Sequence, residues 1–196
     1  FVSLTSLVNI NKKKMKLIYS ESKRLMTLID DIIKLSFLDE DNNDSVDYKD
    51  VDVYKLCESV NNDLALVAKN SNVNLSLKGD HFITNSSSRL LYQMIYNLVE
   101  NAIKYNNQDG SVSININNDD KYTYIQVKDT GNGIPKEYQE TIFQPFFRID
   151  KSRNRQFGGV GLGLALVYEI AKLHNGCVYV KDSNSNGTTI EVKMER

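Results

Sequence analysis

The 196-residue sequence is poor in the residues that usually announce chemistry: two cysteines, two histidines, ten glycines and no tryptophan. Cys57 and Cys177 cannot supply a disulfide framework or a paired CxxC metal knuckle, and they suit a reduced intracellular setting. No apolar run approaches the roughly 18–20 residues of a membrane-spanning helix, and no secretory core follows the N-terminus. No membrane contact by these residues is therefore expected. The formal net charge of −1 excludes the strongly basic face that non-specific nucleic-acid binding needs, so nucleic acid is not an expected partner. What remains, 41% hydrophobic and 25% charged, is an ordinary globular composition, long enough for one domain or two small ones.

Charge divides the chain. Residues 1–38 carry seven Lys/Arg against three acids, and residues 39–63 carry nine acids against Lys49 and Lys55. The sign changes at the polar run Asp39-Glu40-Asp41-Asn42-Asn43-Asp44, which reads as a linker between segments 1–45 and 46–196. Before it, Ile18, Glu21, Leu25, Leu28, Ile32 and Leu35 recur at alternating spacings of three and four, widened by Met26, Ile29 and Ile33. That stripe is too wide for a solvated single helix and predicts a helical bundle, most simply a homodimer, unless it packs on the second segment. After the linker both periods occur. Residues 52–70, 87–105 and 162–175 read as helices, the last closed by Gly176 as a left-handed cap. Residues 73–77 alternate like a strand, and 111–117 with 122–128 and 177–182 with 188–194 read as two hairpins. Hairpins interleaved with helices predict an α+β fold, a two-layer α/β sandwich.

Three features carry candidate chemistry. On the helix at 90–105, Gln93, Asn97, Asn101 and Lys104 form one polar stripe opposite the apolar Leu91, Met94, Ile95, Leu98 and Ala102. Carboxamides and a lysine so arranged suit a metal held by oxygen ligands and a phosphate paired with ammonium; a plain solvent-facing stripe has the same look. Asp129-Thr130-Gly131-Asn132-Gly133-Ile134 follows a predicted strand. There a carboxylate can accept from an exocyclic amine while glycines admit a flat ligand, though a turn before Pro135 would read the same way. Gly158-Gly159-Val160-Gly161-Leu162-Gly163 opens a helix, as a phosphate cradle or as a hinge, with neither dinucleotide nor P-loop spacing. Between the last two lie Ile142–Arg148 and then Lys151, Arg153 and Arg155, an aromatic and cationic run suited to a lid over phosphates.

In this order the motifs are specific together. Residues 46–196 resemble the catalytic and ATP-binding domain of sensor histidine kinases of two-component systems, within the gyrase, heat-shock chaperone and mismatch-repair ATPase superfamily. Asn97–Tyr105 resembles the N box, Asp129–Ile134 the G1 box, Ile142–Arg148 the F box, Gly159–Leu164 the G2 box and Gly187-Thr188-Thr189 the terminal element. The resemblance implies ATP and Mg2+ as cofactors. It implies that Asp129 binds the adenine amine, with Thr188 beside it and Gly131, Gly133 and Ile134 along the loop. It implies that Asn101 coordinates the metal, that Asn97 assists at the phosphate end, and that Lys104 and Tyr105 contact phosphate and ribose. Gly159, Gly161 and Gly163 would line the triphosphate, with Leu162 in the hinge, and Arg148 and Lys151 would bring charge from the lid. Asn97, Lys104 and Arg148 would be the catalytic set.

Asn97 selects a branch. Hydrolysing relatives carry a glutamate there as general base, and a neutral carboxamide cannot take a proton from water, so transfer to a protein nucleophile is the better expectation. The activity implied is ATP-dependent phosphorylation of a bundle histidine, then transfer to an aspartate on a response regulator. The setting implied is the cytoplasmic portion of a membrane-anchored bacterial sensor. The S-H-E-x-x-T-P acceptor pattern does not occur in these 196 residues. His81 and His174 read as structural or exposed. Phe1-Val2-Ser3 resembles the run before that pattern, Leu4-Thr5-Ser6-Leu7 the run after it, and Leu25–Leu38 the second bundle helix of a helical hairpin. Two missing segments are therefore expected, one holding the acceptor and one in a hairpin turn near Val8–Lys13. The alternatives are an ATP-binding regulator without kinase activity, or an ATP-hydrolysing relative of chaperone or gyrase type.

Overall fold

The computed structural model describes residues 4–39, 47–149 and 160–195. Helix α1 (Leu4–Asp39) runs unbroken for 36 residues. The helical hairpin expected for this segment is instead one continuous helix, consistent with the absence of glycine and proline from Leu4–Asp39. Along it Met15, Ile18, Tyr19, Leu25, Met26, Ile29, Ile32 and Ile33 all remain exposed. No helix among the described residues is long and apolar enough to cross a membrane.

From residue 47 the chain builds the expected two-layer α+β sandwich. The strands are β1 (Lys49–Asp52), β2 (Asn74–Gly79), β3 (Ile83–Ser86), β4 (Ser111–Asn118), β5 (Tyr122–Asp129), β6 (Cys177–Asn184) and β7 (Gly187–Glu195). The helices are α2 (Val53–Asn70), α3 (Ser88–Lys104) and α4 (Gly163–Leu173). Five strands form one sheet in the order β2-β4-β5-β7-β6, parallel between β2 and β4 and antiparallel elsewhere. Strands β1 and β3 make a separate antiparallel pair that sequence periodicity did not anticipate: each has only four residues, and Lys49-Asp50-Val51-Asp52 is mostly polar.

Period-two burial fixes which side of the sheet meets the helices. Val112, Ile114 and Ile116 of β4, Ile125 and Val127 of β5, and Ile190, Val192 and Met194 of β7 are all buried, with polar residues alternating. Against them α3 buries Leu91, Met94, Ile95, Leu98 and Ala102 at helical spacing, while α4 buries Ala165, Leu166, Val167, Ile170 and Ala171. Helix α2 starts at Asp52, whose side chain accepts from the Lys55 N–H at 3.1 Å. The left-handed residue after α4 is Asn175 (φ 50), not the expected Gly176. Glycine is required at 176 for space: a Cβ there would stand 2.1 Å from the Lys193 carbonyl oxygen.

His174 joins α4 to the smaller sheet. The Ile170 carbonyl can only accept, so Nδ1 donates to it at 2.7 Å, and Nε2 accepts from the Ser86 hydroxyl at 2.6 Å. These contacts suit the neutral ring, and burial favours that form by lowering its pKa although the Ile170 bond opposes that. His81 is exposed, with Nδ1 3.0 Å from the Asp52 carboxylate. Both histidines have structural surroundings, as the sequence suggested.

A candidate nucleotide site around helix α3

The site is assembled on the solvent-facing stripe of α3, because its opposite face is committed to the core. Gln93, Asn97, Asn101 and Lys104 are half-buried along this stripe. The Asn97 Nδ2 donates to the Gln93 carbonyl at 2.8 Å, which turns the side-chain oxygen toward the start of α4. That start is close: a Cβ on Gly163 would come within 2.8 Å of Asn97 Oδ1 and 3.5 Å of Asn101 Nδ2. Free N–H groups and the positive end of the α4 dipole therefore face the two carboxamides. Leu162 caps α4 and is buried, so it anchors the helix rather than lining a ligand surface.

The loop after β5 packs on the other end of α3. Gly131 lies against Tyr105, where a Cβ would be 2.5 Å from the carbonyl oxygen. Gly133 takes φ 74, a left-handed value costly for other residues, and backs onto the Asn184 carbonyl. Asp129 is the centre of this loop. Its Oδ1 accepts from the Gly131 N–H at 2.8 Å and the Thr188 N–H at 3.2 Å. Burial raises its pKa, while those two hydrogen bonds pull the other way. Both of these bonds fall on Oδ1 and neither on Oδ2.

A clamp not singled out in the sequence holds the loop. Asn107 Nδ2 donates to the Thr130 carbonyl at 2.8 Å, and the Thr130 hydroxyl lies 3.0 Å from Asn106 Oδ1 while accepting from the Ser111 N–H at 2.8 Å. On the far side, Ile134 N–H donates to the Ser183 hydroxyl at 2.7 Å and its carbonyl accepts from Gln139 at 3.0 Å. Asparagine is abundant throughout this chain, so Asn106 and Asn107 carried no distinguishing signal.

The third wall is the aromatic run Ile142–Arg148. Phe146 takes φ 64, unusual for a bulky side chain, and its N–H donates to the Gly161 carbonyl at 2.9 Å. Gly161 itself has φ 86, and a Cβ there would meet the Phe147 carbonyl oxygen at 2.7 Å and Arg148 Cγ at 3.2 Å. Arg148 reaches α3 electrostatically. Lys104 is depressed in pKa by burial first, with the positive charge of Arg148 adding to that and Glu100 opposing it. Burial raises the Tyr105 phenol and Arg148 counters it. The Lys104 ammonium also lies 5.3 Å from the Tyr105 ring centroid. Two like charges, Lys104 and Arg148, thus share one end of the stripe, an arrangement that favours an anionic ligand.

Asn97, Asn101, Lys104, Tyr105, Asp129, Gly131, Gly133, Ile134, Arg148, Gly161, Gly163 and Thr188 all lie in walls of this one region. Lys151 and Gly159 fall outside the described residues. Among the described residues no group of three or more His, Cys, Asp or Glu could hold a metal. The donor set fits Mg2+ nevertheless: two carboxamides offer hard oxygens, and this ion commonly keeps waters and substrate phosphates in place of an all-protein cage.

Residues 86–196 match the family of histidine kinase-, DNA gyrase B-, and HSP90-like ATPases. The chain belongs to that family. It is 33% identical over 184 residues to the sensor histidine kinase WalK of Bacillus subtilis (strain 168), covering 87% of this chain and 28% of that protein. It therefore spans well under half the length of that relative. The fold is shared with full-length ShkA solved in complex with AMPPNP (TM-score 0.79, 20% identity, 93% of this chain and 38% of that one). It is also shared with the histidine kinase ThkA solved with the response regulator protein TrrA (TM-score 0.74, 22% identity, 94% and 51%). The family expected from the motifs is thereby established, and with it the ATPase-type fold.

Proposed function

We propose that the chain is the kinase core of a two-component sensor, lying on the cytoplasmic side of its membrane. It binds ATP with Mg2+, phosphorylates a histidine on the helical bundle of a homodimer, and supplies that group to an aspartate of a cognate response regulator. The proposed acceptor is a histidine not among these 196 residues. In the first step a ring nitrogen bonds to the γ-phosphorus, the bond to the bridging oxygen breaks, ADP leaves and the ring loses a proton to solvent. In the second, the aspartate carboxylate takes the phosphoryl group as the N–P bond breaks and the released ring nitrogen takes a proton back from solvent.

The observation that carries the kinase branch is Asn97. Its carboxamide is neutral and its Nδ2 is committed to the Gln93 carbonyl, so the position holds no base toward water. Asp129 would hold the adenine, and Asn97 and Asn101 would face the metal and phosphates. Lys104, Arg148 and the α4 N-terminus would stabilise charge on the transferring group. Bound Mg2+ would neutralise phosphate charge, with Asn101 as its protein ligand. The exposed apolar surface of α1 supports the homodimer, since nine large side chains exposed along the described part of one helix need a partner. A fold neighbour solved with its response regulator supports the partner class.

The full-length protein incubated with γ-labelled ATP should acquire label that is acid-labile and base-stable and that moves to a regulator aspartate. Steady release of inorganic phosphate without phosphoprotein would favour the hydrolysing alternative, and ATP binding with neither would favour a silent regulator.

A further inference from the structure

Strand β6 does not keep its alternation. Val178 pairs with Val192 and Val180 with Ile190, but the register then slips by one residue, so that Asp182 faces Thr189 and Ser183 faces Thr188. The extra residue is Lys181. Such bulges re-aim side chains. Without it Ser183 would share the open face of the sheet with Tyr179. With it, the Ser183 hydroxyl turns to the nucleotide side, where it accepts the Ile134 N–H at 2.7 Å and lies 3.0 Å from Thr188 Oγ1.

The bulge is pinned from behind. Glu191 of β7 is a nearly buried carboxylate that accepts from Lys181 Nζ at 2.6 Å, from the Tyr179 hydroxyl, and from Gln126 Nε2. Burial raises the Glu191 pKa and those three hydrogen bonds outweigh it, holding the carboxyl below its ordinary range. The bulged residue and its neighbour Tyr179 are thus both fastened to one charge on the face away from the helices.

We infer that Ser183 is a positioning residue that sets the base specificity of this site, a role that rests on the adenine reading given above. Ser183 spends an acceptor position on Ile134 and has one proton to give. Donating it to Thr188 Oγ1 turns the Thr188 proton outward. The Thr188 N–H already donates to Asp129, so a hydroxyl donor then stands beside a carboxylate acceptor. That pair matches adenine, whose ring nitrogen N1 accepts next to an amine that donates. Guanine presents the inverse order, a carbonyl acceptor next to a ring N–H. Removing the Ser183 hydroxyl frees Thr188 to rotate and also leaves the Ile134 N–H without its acceptor; only the first of these losses distinguishes ligands that have the ring nitrogen from ligands that lack it.

The test is a nucleotide titration of the wild type, Ser183→Thr, Ser183→Val and Asp129→Asn with ATP, with GTP and with 1-deaza-ATP, which lacks the ring nitrogen. Threonine and valine have the same shape and differ in the hydroxyl. Ser183→Thr should keep the wild-type preferences. Ser183→Val should lose about five- to tenfold more affinity for ATP than for 1-deaza-ATP, the scale of one hydrogen bond, whatever loss of the Ile134 contact the two ligands share. Its preference for ATP over GTP should narrow to the same extent. Equal weakening of ATP and 1-deaza-ATP would show a merely structural serine and overturn the assignment, as would a Ser183→Val that behaves like Ser183→Thr. If the wild type binds no ATP, or Asp129→Asn leaves ATP binding unchanged, the adenine reading itself has failed.

Discussion

Replacing Asp129 by asparagine inverts one contact and leaves the others in place. In the wild type, Oδ1 accepts two backbone N–H groups, from Gly131 and Thr188. Asparagine can keep both bonds only by pointing its own oxygen at them, which aims its NH2 where Oδ2 stood. The adenine amine then meets a donor. The opposite rotamer would offer the ligand an oxygen but set the NH2 against two N–H groups, so the side chain cannot escape by flipping. A hydrogen bond to a charged group contributes about 1.5–3 kcal/mol and an unsatisfied buried donor costs about 1–3 kcal/mol. Together they predict a loss of roughly 2.5–6 kcal/mol in binding, or about 60- to 20,000-fold in Kd for ATP. The fold should survive. Burial raises the Asp129 pKa, which means the folded state disfavours the charge that the substitution removes. Thermal stability should therefore move by less than about 1 kcal/mol, since weaker bonds to Gly131 and Thr188 offset the relieved desolvation. Calorimetric titration with a parallel thermal melt separates the two effects. An affinity within a few-fold of wild type, in a protein that melts normally, would refute the adenine assignment.

Asn101→Ala should weaken magnesium-ATP binding by about tenfold while leaving adenosine affinity unchanged, because it removes an oxygen donor at the phosphate end only. Equal loss for both ligands would contradict that placement. His174 is held neutral, with a folded pKa below the ordinary 6.5. The unfolded chain binds the proton first on acidification, so the stability contribution is complete above 6.5 and is lost as pH falls below it toward the folded pKa. Melts across that window should show the decline, and His174→Gln should flatten it; an unchanged slope would count against the neutral tautomer. Ile29→Asp with Ile33→Asp, two exposed positions of α1, should convert the proposed homodimer to a monomer in sedimentation velocity without disturbing residues 47–195, and an unchanged sedimentation coefficient would contradict that interface.

Helices α2, α3 and α4 were legible because each has a long apolar period, and the two hairpins because polar turns separate alternating runs. The β1–β3 pair was not, since Lys49–Asp52 and Ile83–Ser86 are short and pair across a long sequence separation, where local pattern says nothing. The hairpin expected at the N-terminus came from family likeness, and the local residues overrule it: a helix without a breaker continues. In the site, Asp129 and the glycines stood out because glycine is scarce here and clustered. The clamp of Asn106, Asn107 and Thr130 was hidden by abundant asparagine. Ser183 was hidden more deeply, because a bulge at Lys181 is a matter of register and leaves no mark in composition.

The most direct measurement is a crystal structure of the protein with a non-hydrolysable ATP analogue and Mg2+. The 6-amino group is expected within hydrogen-bond distance of Asp129 Oδ2, the triphosphate at the N-terminus of α4, and Lys104 and Arg148 turned toward its oxygens. An adenine ring bound away from Asp129, or phosphates that leave Asn97, Asn101 and the start of α4 untouched, would contradict that placement.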